Sequence, residues 1–171
     1  QFAAALPLLS DRNQTVGRFV GIIRTQDGDD AGEAALTEII QSYPDDDALA
    51  FALPAYLCEI GQNERCTEEP EKLAASEDME IRHRAKIQIA ENRFKDDDYD
   101  TAVSLAEDVL AEDDAEPNAL TLKAKVQLAR DEVEPAIETL RSALASEPDK
   151  ESAQILLGLA YEADGRAAFG E

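Results

Sequence analysis

Tryptophan is absent, aromatic residues make up only 5% of the chain, and there is one histidine, His83. With no second histidine and no cysteine pair at ligand spacing, a zinc site has too few ligands. His83 is accordingly expected at the surface or as a helix cap. No G-x-S-x-G, no Gly-rich phosphate loop and no H-E-x-x-H occurs, which removes the commonest signatures of hydrolases, nucleotide enzymes and metalloproteases. Basic residues are scarce as well, 16 against 38 acidic ones, for a net charge of −22. Such a surface repels nucleic acid and anionic membranes. No apolar run approaches the ~18 residues of a membrane span: Phe2 to Leu9 is broken by Pro7, and Ala48 to Cys58 by Pro54. No signal peptide is readable ahead of Phe2. The sequence therefore predicts no enzyme, no cofactor, no metal, no nucleic-acid partner and no direct membrane insertion.

The 171 residues are 44% hydrophobic, a normal share for a folded protein. Alanine and leucine supply most of it, which favours helix over sheet. The acidity reads either as solubility, including in a salty habitat, or as a field that steers in a basic partner.

A period of 34 residues organises the second half. Moving 34 along the chain takes Ala90 to Ala124, Phe94 to Leu128, Ala102 to Ala136, Val103 to Ile137 and Leu110 to Leu144. The next step takes Ala124 to Gly158 and Asp131 to Gly165. Within a unit, Ile137, Leu140 and Leu144 recur at helical steps, as do Val103, Ala106 and Leu110. Polar turns divide the helices at Asp96-Asp97-Asp98, Arg130-Asp131-Glu132 and Asp164-Gly165-Arg166. Breakers follow the second helices at Glu116-Pro117 and Glu147-Pro148-Asp149, and Pro135 suits the first turn of a helix.

The chain resembles the tetratricopeptide repeat family, and most specifically from His83 to Gly165. The residues that carry the likeness are Ala90, Asp98-Tyr99-Asp100 and Ala102, then Ala124, Ala136, Ala143, Leu144 and Pro148, then Leu157-Gly158, Tyr161 and Gly165. The resemblance implies an all-α fold, a right-handed superhelical solenoid of antiparallel helix hairpins with about four to five units. The expected division is the end of a preceding helix over 1–12, a degenerate unit over 13–46, and an irregular unit over 47–82. Full units follow over 83–116 and 117–150, with a partial unit over 151–171.

Upstream the pattern weakens. Pro44 falls where the family's closing proline belongs, 34 residues before Asp78. In the unit over 47–82, Gly61 keeps its place at the turn, while Pro54 and Pro70 are expected to interrupt both helices. Phe2, Ala5 and Leu6 read as part of a second helix, and Arg166 to Glu171 as the start of one. No polar cap is visible at either end, so the chain is expected to be a piece of a longer protein, bacterial in compositional style.

Cys58 and Cys66 flank the Gly61 turn. Two readings stand: a disulfide across an antiparallel hairpin, or two small thiols in a reducing cytosol. The first slightly favours a periplasmic or exported position over a cytoplasmic one. Asp27, Asp29, Gly32 and Glu38 match an EF-hand spacing. However, Ala31 stands where a ligand belongs and Glu38 falls inside the second helix of its repeat, which argues for a repeat turn. Asn13-Gln14-Thr15 fits a glycosylation acceptor, a triplet common by chance.

The resemblance further implies that the first helix of each unit lines a groove for an extended peptide or partner helix. Carried over by position, that groove comprises Arg84, Ile87, Glu91, Phe94 and Lys95, then Asn118, Thr121, Lys125 and Leu128, then Ser152, Ile155 and Leu159. Arg24 and Phe51 would contribute from the irregular half. Arg84, Lys95 and Lys125 would grip a carboxylate-bearing segment, with Phe94 as an apolar anchor. The lysine-and-asparagine clamp of chaperone-binding members is not reproduced. The expected function is a protein-binding scaffold or adaptor. The alternative is a structural spacer or self-assembling array, associating through open array ends, in a larger protein that carries catalysis elsewhere.

Overall fold

The structure, a computed structural model, describes residues 12–43 and 46–165. The expectations placed on Phe2, Ala5, Leu6, Pro44 and Arg166 to Glu171 fall outside them. The described residues are helical, with no strand among them. The chain divides into two compact units, Gln1–Arg82 and His83–Glu171.

The first unit contains α1 (Arg12–Asp27), α2 (Asp29–Ser42), α3 (Asp47–Ala50), α4 (Ala52–Glu59) and α5 (Asn63–Leu73). Its core gathers Val16 and Val20 of α1, Leu36 and Ile39 of α2, then Leu49 and Tyr56, at the steps of three and four that place residues on one helix face. Gly32 is a site of close approach. A β-carbon there would overlap the Tyr56 hydroxyl oxygen and lie 3.1 Å from Cζ of the same ring. That hydroxyl donates to the Asp29 carbonyl at 2.8 Å, so glycine is what lets α4 close on α2. Burial, and next the charge of Asp29, push the Tyr56 phenol above its ordinary pKa. Arg65 of α5 grips Glu33 of α2 through both carboxylate oxygens, at 2.6 and 2.9 Å. This pair holds the Glu33 carboxyl below the usual range.

The two prolines act differently: Pro54 interrupts its helix as expected, and Pro70 does not. The helix breaks at Phe51, three residues ahead of Pro54, because proline cannot donate to the carbonyl four residues back and its ring clashes there. Restarting at Ala52 puts Pro54 in the first turn of α4, where its missing N–H is harmless. Pro70 does not interrupt α5: the helix continues to Leu73. Its ring is buried, and its carbonyl still accepts from the Ala74 N–H at 2.9 Å.

Helix α6 (Met79–Lys95) carries the chain into the second unit, which continues with α7 (Tyr99–Leu110), α8 (Pro117–Ala129), α9 (Val133–Ser146) and α10 (Glu151–Ala163). Asp78 caps α6, its carboxylate accepting from the Glu80 and Ile81 amides at 2.9 and 3.2 Å. The helix starts one turn before His83. His83 is therefore buried rather than at the surface or a cap, with Nε2 3.3 Å from a Glu112 carboxylate oxygen. Ala90, Ala102, Ala106, Ala124, Ala136, Ala143, Ala153 and Ala160 are all completely buried, so the helices pack almost backbone to backbone. Leu140, Ile137 and Leu120 fill one cluster, and Val109, Leu122 and Ile87 another.

The period is visible in the backbone. Gly61, Asp97, Asp131 and Gly165 all have positive φ, between 60° and 77°, one after each first helix from α4 onward. After Gly61, the Gln62 amide reaches the Leu57 carbonyl. After Asp97 and Asp131, Asp98 reaches Arg93 and Glu132 reaches Gln127, each at 2.9 Å. These are Schellman closures. Aspartate tolerates the left-handed region better than most residues other than glycine, which explains why two of the four positions are not glycine.

Candidate partner-binding face

The expected groove residues of α6 and α8 divide by exposure. Ile87 and Thr121 are buried, and the Thr121 hydroxyl donates to the Pro117 carbonyl at 2.6 Å. Neither offers surface to a partner. Arg84, Lys95 and Asn118 are exposed, and Asn118 donates to the Glu116 carboxylate at 2.8 Å. Phe94 and Leu128 are half-buried. Phe94 packs against the α6–α8 cluster, and its ring centroid lies 5.3 Å from that of Tyr99. It serves as much to lock the α6–α7 turn as to present an apolar edge.

One pair fixes the relation between the two helices. Lys125 Nζ lies 3.5 Å from Glu91 Oε1. The two residues are 34 positions apart, so the same position of consecutive hairpins meets across the face, and α6 and α8 lie side by side there. Other cations of the unit are engaged by carboxylates. Lys86 faces Asp108 and Glu112 at 3.7 Å, Lys123 holds Glu107 at 2.9 Å, and Arg130 binds Asp100. A fringe of ion pairs thus borders the α6–α8 face. Each exposed pair is worth less than about 1 kcal/mol, so these pairs set charge pattern more than stability.

Ser152, Ile155 and Leu159 lie on the exposed side of α10, with Ile155 at 56% and Leu159 at 54% exposure. Arg24 is engaged within the first unit, at 2.7 Å from Asp29 and 2.5 Å from Glu59, and Phe51 is buried. Neither presents a free binding group. In the EF-hand-like spacing, Asp27 ends α1 while Asp29 starts α2 with its carboxylate on Arg24. Among the described residues, no group of three or more His, Cys, Asp or Glu is placed to hold a metal ion, and no helix is long and apolar enough to cross a membrane. Asn13 falls in the first turn of α1. Cys58 and Cys66 are joined as a disulfide, with Cα atoms 5.1 Å apart. The ion pairs and the burial of Ile87 and Thr121 could not be read from spacing, which marks a helix face but not what the neighbouring helix covers.

Residues 93–160 match the tetratricopeptide repeat family. No curated protein matches in sequence. Among solved structures, the chain is similar to MamA of Desulfovibrio magneticus RS-1, at 16% identity and a TM-score of 0.57, over 92% of this chain and 88% of that one. It is similar to a thermophilic tetratricopeptide-repeat protein of Thermus thermophilus, at 18% identity and a TM-score of 0.56, over 90% and 83%. A tetratricopeptide repeat protein of Parabacteroides merdae aligns at 11% identity with a TM-score of 0.60, over 90% of this chain and 60% of that one. These likenesses concern the fold. With the helix-hairpin period, they show an all-α fold of the tetratricopeptide-repeat solenoid type, and residues 93–160 match that family's model.

Proposed function

We propose that the chain is a protein-binding scaffold that holds an extended peptide or a partner helix across α6 and α8. The observation that carries this reading is the Glu91–Lys125 pair, because it makes the first helices of consecutive hairpins one continuous face. Arg84, Lys95 and Lys125 supply donors for partner carboxylates, while the edges of Phe94 and Leu128 supply apolar contact. The reading is non-catalytic. The Cys58–Cys66 disulfide fits an oxidising compartment.

The test is affinity capture from the source organism, followed by direct titration of the captured protein. Beside the wild type stands a variant carrying Arg84→Glu, Lys95→Glu and Lys125→Glu, all at positions outside the buried core. The captured protein is expected to bind the variant at least about tenfold more weakly, which is about 1.4 kcal/mol, while the variant keeps the helical circular dichroism of the wild type. Equal binding by both would remove the α6–α8 face from the account.

A further inference from the structure

Among the described residues, large apolar side chains that stand exposed are few: Ile22, Met79, Ile155 and Leu159. Three of them fall on two helix faces with opposite chemistry. On α1, Arg18, Gly21, Ile22, Thr25 and Gln26 follow one another at helical spacing and line a depression of about 480 Å³. Ile22 is 57% exposed in it. Helix α1 is net positive in this acidic chain, with Arg12, Arg18 and Arg24 against Asp27, and Arg18 is the exposed arginine beside Ile22. On α10, Ile155 and Leu159 are one turn apart and project from a helix that carries Glu151 and Glu162 and no basic residue. Glu151, Ile155, Leu159 and Glu162 form one exposed stripe, with a carboxylate at each end of an apolar centre. Gly158 beside them has nothing within 4 Å of where a β-carbon would stand, so the stripe can be approached closely.

We propose that these two faces bind each other between copies of the chain. Ile155 and Leu159 of one copy enter the depression around Ile22 of the next, and Glu151 or Glu162 meets Arg18. The two faces are different surfaces, so the contact is heterologous, and after it forms one copy keeps a free α1 face and the other a free α10 face. It assigns Ile155 an occupant other than the peptide held by α6 and α8, and it stands whether or not that peptide exists. The patches are small, so the association is weak and needs high protein concentration. The net charge of −22 opposes it at low ionic strength, and screening at about 0.15 M relieves part of that repulsion.

Sedimentation across micromolar to millimolar concentration tests this with the intact chain and two variants at exposed positions. One is Ile22→Glu and the other is Ile155→Glu with Leu159→Glu. The wild type is expected to form a concentration-dependent series beyond the dimer. Each variant alone is expected to associate at least tenfold more weakly. An equimolar mixture of the two is expected to regain the wild-type affinity but stop at a heterodimer, since only one good pair of faces remains. Arg18→Glu is expected to weaken the series, and adding Glu151→Lys and Glu162→Lys to the same chain to restore it. A wild type that stays monomeric throughout overturns the proposal, as does association that survives both variants. A mixture no better than its components would show that the two faces are not each other's partners. If Ile22→Glu instead lowers the melting temperature of a monomer, the α1 face is covered within its own chain and the proposal falls.

Discussion

Leu140→Ala is expected to destabilise the second unit by about 3–4 kcal/mol, within the range measured for leucine truncations in packed cores. Leu140 is fully buried in the middle of α9, within a cluster that includes Leu120, Ala124, Ile137, Ala143, Ala153 and Ala160. Alanines form much of that cluster's wall and sit on helix backbones that already approach closely. They have no longer side chain to swing into the space left behind, so the cavity persists and its cost adds to the lost transfer free energy. Whole domains are stable by only about 5–15 kcal/mol, so the loss is large. The control is Leu159→Ala, which removes the same atoms from a side chain that is 54% exposed and should cost under about 0.5 kcal/mol. Urea denaturation followed by helical circular dichroism measures both. Equal losses at the two positions would mean that α9 does not pack as described.

Breaking the Cys58–Cys66 bond is expected to cost the first unit about 2–3 kcal/mol, the chain-entropy value for a short closed loop. The bond joins the end of α4 to the start of α5 across the Gly61 turn. This part of the unit has the least helix to support it: α4 is eight residues long, and the chain ahead of it is broken at Phe51. Amide exchange over 52–73 should speed up on adding reductant, by roughly the factor of 30–150 that this free energy represents. The variant with Cys58→Ser and Cys66→Ser should show the faster exchange with or without reductant. Cys58 is exposed, so the bond is open to reductant without unfolding. If reductant leaves the wild type unchanged, the staple contributes nothing and the hairpin stands on Leu57, Tyr56 and Pro70 alone.

Much of this was legible in the residues because one constraint repeats. The small residues at Ala90, Ala124 and Ala136 must be small for helices to close, and all three are fully buried. Asp97 and Asp131 occupy the place that glycine holds at Gly61 and Gly165, and the backbone is left-handed at all four. What spacing alone could not supply were contacts made between elements. Gly32 reads as a calcium-loop glycine in the sequence, yet its role is to admit the Tyr56 ring, 24 residues on. His83 looks like an ordinary helix-start residue until α6 proves to begin at Met79. Ile87 and Thr121 have the register of groove residues, but adjoining helices bury them. For the proposed face, spacing offers positions but no charge pattern, because pairs such as Glu91–Lys125 and Lys123–Glu107 depend on which helices become neighbours.

The central claim is that a protein partner lies across the first helices of the second-unit hairpins. Amide hydrogen exchange of the chain with and without its captured partner tests this most directly. The account predicts slowed exchange over 84–95 and 118–129, with 99–110 and 133–146 unchanged. Protection confined to α7 and α9 would contradict it and place the binding surface on the second helices.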